Sequence, residues 1–292
     1  MADISTILAL SSLVIYGLTQ VIAKAVVKNL DATSMVALNF MTSIPIYVFL
    51  LGCAVVFWGE YVDHLEYVLY GLIGSTTLRG GYYIYLEALE KGAVSMVGSI
   101  TAAFPAITAM LAVTLLGEEI TAMNAVGIAI IIASMVALSF SHGRSEDKGG
   151  FSRVSLLLSL ATFLIWGFGS IFIKLALNGL PQIAYLGLYV FTLPPIAFAY
   201  LRHKGASWAV LMPKWTVPVI GAIVVAELWQ LAYFAETGAV AQGSASIIFP
   251  LISAYPVVTI VGARLTLKER LSRSDLMLLV AVIIGIVLTS VA

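Results

Sequence analysis

An all-α membrane protein is the fold class this sequence predicts, and three observations lead there. Of 292 residues, 61% are hydrophobic and 10% charged, where soluble domains carry about a quarter charged; mean hydropathy is +1.05. The apolar residues gather into runs of about 20, the length that spans hydrocarbon. The second half of the chain also repeats the first. A water-soluble chain must cover its exterior with polar atoms, whereas a bilayer favours an apolar exterior if helices satisfy the backbone internally.

In chain order the runs predict ten helices, over 4–28, 33–58, 66–88, 93–116 and 121–141, then 154–179, 182–202, 215–237, 241–264 and 273–291. The first lacks a preceding basic n-region and reads as a retained helix, not a cleaved leader. The second holds Cys53, the only cysteine, an inert thiol in an apolar run. The fourth and ninth contain Pro105 and Pro256. Each proline frees a backbone carbonyl one turn earlier and bends its helix, which makes them candidate hinges. Ser95, Ser99 and Ala103, with Ser244 and Ser246, let neighbouring backbones approach closely. The polar stretch 142–153 (HGRSEDKGGFSR) reads as a solvated linker between two five-helix repeats, 1–141 and 154–292.

The repeat is read residue by residue. Ile15-Tyr16-Gly17 with Lys24 returns as Ile165-Trp166-Gly167 with Lys174, 150 residues on. Ala88, Gly92, Ser95, Pro105, Leu116 and Glu118 return as Ala239, Gly243, Ser246, Pro256, Leu267 and Glu269, 151 residues on. Five helices per copy is an odd number, so the second copy enters the membrane inverted. Inverted repeats place substrate sites at mid-membrane between the halves.

Ala88-Leu89…Gly92-Ala93-Val94-Ser95…Pro105…Leu116-Gly117-Glu118, followed by Thr121 and Gly127, resembles the repeat of the EamA family in the drug/metabolite transporter superfamily. Ala239…Gly243-Ser244…Pro256…Leu267-Lys268-Glu269…Gly285 resembles it more loosely, and Trp166-Gly167 with Lys174 resembles its opening. The resemblance implies ten helices around a central cavity, alternating access, and export or exchange of small metabolites of unspecified kind.

Twelve of the fifteen Lys and Arg residues fall on one face of the predicted topology: Lys28, Lys91, Arg144, Lys148, Arg153, Arg202, Lys204, Lys214, Arg264, Lys268, Arg270 and Arg273. Glu60, Asp63, Glu66, Glu118 and Glu119 fall on the other. The positive-inside rule then puts both termini outside the cell, while the family resemblance implies the reverse.

Ionisable groups in hydrocarbon are functional candidates by default. Arg79 lies deep in the third helix and Glu227 in the eighth. Thr76, Arg79 and Tyr83 form one helical stripe, and Glu227, Gln230 and Phe234 its mate in the other half. Arg79 offers a planar fork for a carboxylate. Glu227 offers an anion for an amine and is the candidate proton carrier. Tyr82, Tyr83, Trp229 and Tyr233 supply apolar walls with polar rims. Tyr16 and Gln20 with Lys24, Trp166 with Ser170 and Lys174, and Asn39 with Thr42 are expected to line the same cavity. The alternatives are that Arg79 and Glu227 neutralise each other and that the lysines snorkel to the interface. Glu87 and Glu236 read as interfacial residues of the basic face, and Glu118 and Glu269 as caps of the fifth and tenth helices.

Secondary-active transport of an amino acid or related zwitterion is the function these residues point to. A proton-coupled organic-cation or drug exporter is the alternative, and a passive channel the remote one. No GxxxxGK[ST] occurs for ATP hydrolysis. His64, His142 and His203 are scattered, so no reactive cluster of an enzyme is seen. No cofactor, metal or nucleic-acid partner is expected. The expected partners are a small-molecule substrate and the bilayer, for a monomer spanning a prokaryotic plasma membrane many times.

Overall fold

The computed structural model describes residues 3–26, 30–57, 65–91, 94–143, 152–207, 210, 215–266 and 273–291. Every regular element among them is helical: α1 (Ile4–Val26), α2 (Ala32–Phe57), α3 (Leu65–Lys91), α4 (Val94–Thr101), α5 (Phe104–Leu116), α6 (Ala122–Gly143), α7 (Arg153–Leu177), α8 (Gln182–Gly187), α9 (Tyr189–His203), α10 (Val217–Gln242), α11 (Ala245–Ser253), α12 (Pro256–Thr266) and α13 (Arg273–Val291). Six stretches are long and apolar enough to cross a membrane: Ile4–Ala23, Thr33–Val56, Arg153–Leu177, Gln182–His203, Val217–Gln242 and Ala245–Thr266. Shorter apolar helices accompany them at Phe104–Leu116, Ala122–Leu138 and Leu276–Ser290. Phe49, Val56, Leu115 and Met277 stand exposed on the outer surface, where lipid removes the cost of that exposure.

Three predicted helices are each divided in two. α4 stops at Thr101 and α5 starts at Phe104, while α11 stops at Ser253 and α12 starts at Pro256. Pro105 and Pro256 therefore occupy first turns, where a missing N–H costs nothing. The expected bends are breaks. The third division, at Leu188 between α8 and α9, has no proline beside it. Leu188 N–H donates to Tyr185 O at 3.1 Å and Phe191 N–H to Leu188 O at 3.0 Å, a tightened i→i−3 turn.

The halves interlock. α3 of the first half lies along α7 of the second, and α1 along α10; the repeat shift exchanges these two pairs. Both run antiparallel. Ser155 Oγ donates to Ala88 O at 2.8 Å while Gly74 meets Ile173 further along. Likewise, Ser12 Oγ donates to Ala232 O at 2.9 Å while Gly238 meets Leu8. Side-chain contacts follow the same shift. Trp166 Nε1 donates to Leu78 O and its ring packs on Tyr85 and Phe104. Tyr16 packs on Trp229 and Tyr255 and donates to Glu236. Tyr16, Trp229, Glu236 and Tyr255 are the repeat mates of Trp166, Leu78, Tyr85 and Phe104.

α6 and α13 meet through glycines. A Cβ on Gly127 would lie 2.8 Å from Gly285 O, and one on Gly285 would lie 2.9 Å from Gly127 O. Gly127→Leu is expected to prise the pair apart and cost about 1–3 kcal/mol or more, read as a lower unfolding temperature in detergent. Gly52→Ala, with nothing within 4 Å, should leave that temperature unchanged or raised.

The antiparallel pairs collect Lys91, Arg153, Arg202, Lys204, Arg264 and Arg273 at one end of the bundle. The other six residues of the basic face, with Glu60, Asp63 and Glu269, lie outside the described residues, as do the side chains of Lys24, Ser95 and Ser99. At the basic end Lys204 bridges Glu87 and Glu90, each at 2.5 Å, and Lys91 also reaches Glu87 at 2.5 Å. Hydrogen bonds to Glu87 and Glu90 hold the Lys204 amine above the ordinary lysine range. Glu87 thus belongs to the ion pairs of that end.

Candidate functional site

Halfway along α3, Arg79 turns into the space between α2, α9 and α10. Its Nη2 donates to Tyr47 Oη at 2.8 Å and Nη1 approaches Asn39 Oδ1 at 3.4 Å. The guanidinium carbon stands 5.2 Å from the centre of the Tyr189 ring, a cation–π contact. Tyr47 in turn donates to Gln230 Oε1 at 2.6 Å, and Gln230 Nε2 donates to Ser43 Oγ. Every hydroxyl and amide in this chain points its acceptor towards the cation. Arg79 and Gln230 are repeat mates, so the two halves meet at Tyr47.

A second polar group lies beside it. The hydroxyls of Tyr185, Tyr189 and Tyr233 close a triangle with edges of 3.2, 2.8 and 2.6 Å. Tyr189 stacks on Tyr47 at 4.9 Å, which joins the triangle to the Arg79 chain. Gln182 Nε2, at the start of α8, donates to Phe234 O at 2.6 Å and Thr237 Oγ1 at 2.9 Å, fastening α8 to α10.

Two charged atoms in this interior are left open. Arg79 Nε and Glu227 Oε1 are both buried without a hydrogen-bond partner. An unsatisfied buried charged group costs at least about 1–3 kcal/mol. Mutual neutralisation does not account for them, because no ion pair joins Arg79 to Glu227 among the described residues. Glu227 sits one turn before Gln230 on α10, on the same side of the helix.

The sequence stripes need correction. Phe234 is 43% exposed, whereas Tyr233 is 5% exposed and takes the inward place; the inward line on α10 is Glu227, Gln230, Tyr233 and Glu236. Thr76 is exposed and faces away from the interior line. Tyr83 is buried on Tyr200, ring centres 4.8 Å apart, with Tyr82 at 5.8 Å, towards the basic end. Trp166 serves the α3–α7 contact and does not meet Arg79's partners. Trp229 packs 4.8 Å from Tyr16. Gln20 lies partly buried one turn from Tyr16. Glu236 is no interfacial residue of the basic face: α10 ends at the opposite end of the bundle, and Glu236 turns inward to Tyr16 Oη at 2.9 Å.

Two more expectations change at the α10–α11 junction. Glu118 caps α11, not the fifth predicted helix: its oxygens accept from Ala245 N and Ser246 N at 2.8 Å and from Ser246 Oγ at 2.7 Å. Lys174 does not snorkel and does not meet Arg79's partners. It donates to Val240 O and Gly243 O, both at 2.9 Å, at the carbonyl end of α10. An anion on helix amides and a cation on helix carbonyls both suit the helix dipole. A cavity of about 470 Å³ opens beside this clasp, lined by Asp3, Ser5, Glu118, Lys174, Gln242 and Ser244 among others.

Interlocked halves, an apolar exterior and charge gathered inside define a polytopic helical membrane protein with a polar core at its repeat interface. The comparisons place it further. A model of the EamA-like transporter family matches residues 3–140 and again 153–291. The chain belongs to that family and is therefore a membrane transporter of the drug/metabolite transporter superfamily. An uncharacterised protein of Methanocaldococcus jannaschii, MJ1333.1, is 27% identical over 140 residues, 48% of this chain and 99% of the relative. A crystal structure of another protein superposes at a TM-score of 0.77 over 99% of both chains with 15% identity, a likeness of fold.

Proposed function

We propose that this transporter carries small zwitterions, amino acids foremost, by alternating access between two inverted five-span repeats, as a monomer in a prokaryotic plasma membrane. One observation carries the reading: buried groups of opposite charge, Arg79 and Glu227, each keep an unpartnered atom inside the bundle and do not pair with each other. A substrate with both charges supplies what each lacks. Arg79 takes the carboxylate, with Asn39 and Tyr47 beside it, and Glu227 takes the amine. Tyr16, Trp229, Gln230 and Tyr233 border the same interior. The proline breaks before α5 and α12 give each repeat a place to flex.

The test is a thermal-shift screen of purified protein against amino acids, simple amines, nucleosides and phosphorylated metabolites. Binding to the native state raises its apparent stability by about 2.7 kcal/mol at a hundredfold excess over Kd. Shifts are expected with amino acids and not with their decarboxylated amines. Shifts with the amines alone would favour the organic-cation exporter, for which the rings around Tyr16 and Trp229 speak. Trans-stimulated exchange in proteoliposomes separates either carrier from a channel.

A further inference from the structure

We propose that Glu236, held by Tyr16, takes up and releases the coupling proton, so that transport is driven by a proton gradient; the proposal rests on the transport reading above and adds the coupling ion to it. Glu236 Oε2 accepts from Tyr16 Oη at 2.9 Å, inside the α1–α10 contact that joins the two halves. No ion pair reaches Glu236 among the described residues. Among the described side chains, the ionisable groups on the elements packed against α10 are Tyr16 on α1, Tyr47 and Cys53 on α2, Arg153 and Lys174 on α7 and Tyr185 on α8, with Tyr189 following on α9; Arg153 lies at the basic end, away from Glu236. Those of α11 number none. Lys174 is turned to the carbonyls of Val240 and Gly243, beyond Glu236.

The repeat shows that packing does not require a carboxylate here. The mate of Glu236 is Tyr85, which lies against Trp166 as Glu236 lies against Tyr16. A buried carboxylate without a cation is costly as an anion and tolerable as a neutral acid. The site therefore holds its proton while sealed from water and ionises when water arrives: the carboxylic acid gives H⁺ to water, and Tyr16 keeps its own proton and donates to the carboxylate.

Both neighbours that coupling needs are present. The cavity beside the clasp includes Gln242 and Gly243, six and seven residues beyond Glu236, and six residues is about 9 Å along a helix. Three residues back on α10 is Tyr233, whose hydroxyl is shared with Tyr185 and Tyr189; Tyr189 lies under the Arg79 guanidinium. Glu227 is nine residues from Glu236, on the far side of Gln230 from the cavity. Protonation at Glu236 and substrate at Arg79 thus act on one set of tyrosines from two sides.

Two measurements decide it. Dicyclohexylcarbodiimide modifies protonated buried carboxyls; in the full-length protein, mass spectrometry should find Glu236 modified increasingly as pH falls. Tyr16→Phe, which removes the donor to the anion, should move the midpoint of that curve upward by about one pH unit. In proteoliposomes, a one-unit inward-acid gradient should raise uptake of a radiolabelled mixture of the common amino acids by up to about tenfold. Glu236→Gln, which still accepts from Tyr16, should bring the ratio of driven to undriven uptake to about one. An unmodified Glu236, an unmoved midpoint in Tyr16→Phe, or a gradient ratio that survives Glu236→Gln overturns the proposal. Absence of any amino-acid uptake by the wild type would instead remove the zwitterion reading, and the labelling curves would still decide Glu236.

Discussion

Glu118→Ala is expected to lower the unfolding temperature in detergent by about 10 °C, the largest stability effect of any single polar substitution proposed for this chain. The carboxylate accepts three hydrogen bonds at the start of α11, two from backbone amides and one from Ser246 Oγ. Bonds to a charged group contribute about 1.5–3 kcal/mol each. Water reaches this partly buried site through the adjoining cavity and replaces part of the loss, so a net cost of about 4 kcal/mol is the expectation. At about 2–4 °C per kcal/mol for a chain of this order of size, that gives the stated shift. Glu118→Gln keeps one acceptor and should lose about half as much. Glu119→Ala, exposed on the neighbouring residue, should lose nothing. Identical melting of Glu118→Ala and wild type would show that α11 holds its start without the clasp.

The clasp also shows how far the sequence could be read. The duplicated Lys174, Gly243, Ser246 and Glu118 stood out as scattered repeat markers, and their common purpose was invisible because they come from α7, the α10–α11 junction and the turn after α5. Only folding brings them together. Lys24, Gly92, Ser95 and Glu269 are the same residue types at the repeat shift, and the order of these pairs was enough to reveal two copies. Hydrophobic run length located the helices because hydrocarbon thickness sets a fixed length. It missed the division at Leu188, which tightened hydrogen bonds produce without any proline.

Charge was legible and its partners were not. Arg79 and Glu227 were conspicuous because ionisable residues are rare in apolar runs. Tyr47 is one tyrosine among thirteen, and nothing in its spacing marks it as the link between Arg79 and Gln230. The repeat shift offered a signal for Glu236, since it aligns a carboxylate with Tyr85 in a contact otherwise filled by rings. The nearness of Glu236 to the predicted helix end at 237 points the other way. On α10 a one-residue choice, Phe234 against Tyr233, turned the stripe by about 100°, and sequence spacing alone does not settle it.

Arg79→Ala carries the largest expected effect on binding, and the choice of ligand separates a binding role from a structural one. Tyr47 donates to Gln230 independently of Arg79, so most of the interior chain survives the substitution and the protein should fold. Removing one partner of a buried charge pair costs about 2–5 kcal/mol, or about 30-fold to several thousandfold in Kd. The wild type should bind a free amino acid about a hundredfold more tightly than its methyl ester, which keeps the amine and loses the carboxylate charge. Arg79→Ala should bind both equally weakly, because the discriminating group is gone. Arg79→Lys keeps the charge without the planar fork and should fall between them. Glu227→Gln should show the complementary pattern, losing affinity for the amino acid while ignoring removal of its amine. A preference for the acid over the ester that persists undiminished in Arg79→Ala would place the carboxylate elsewhere, and the orphaned guanidinium nitrogen would then belong to the architecture of α3 alone.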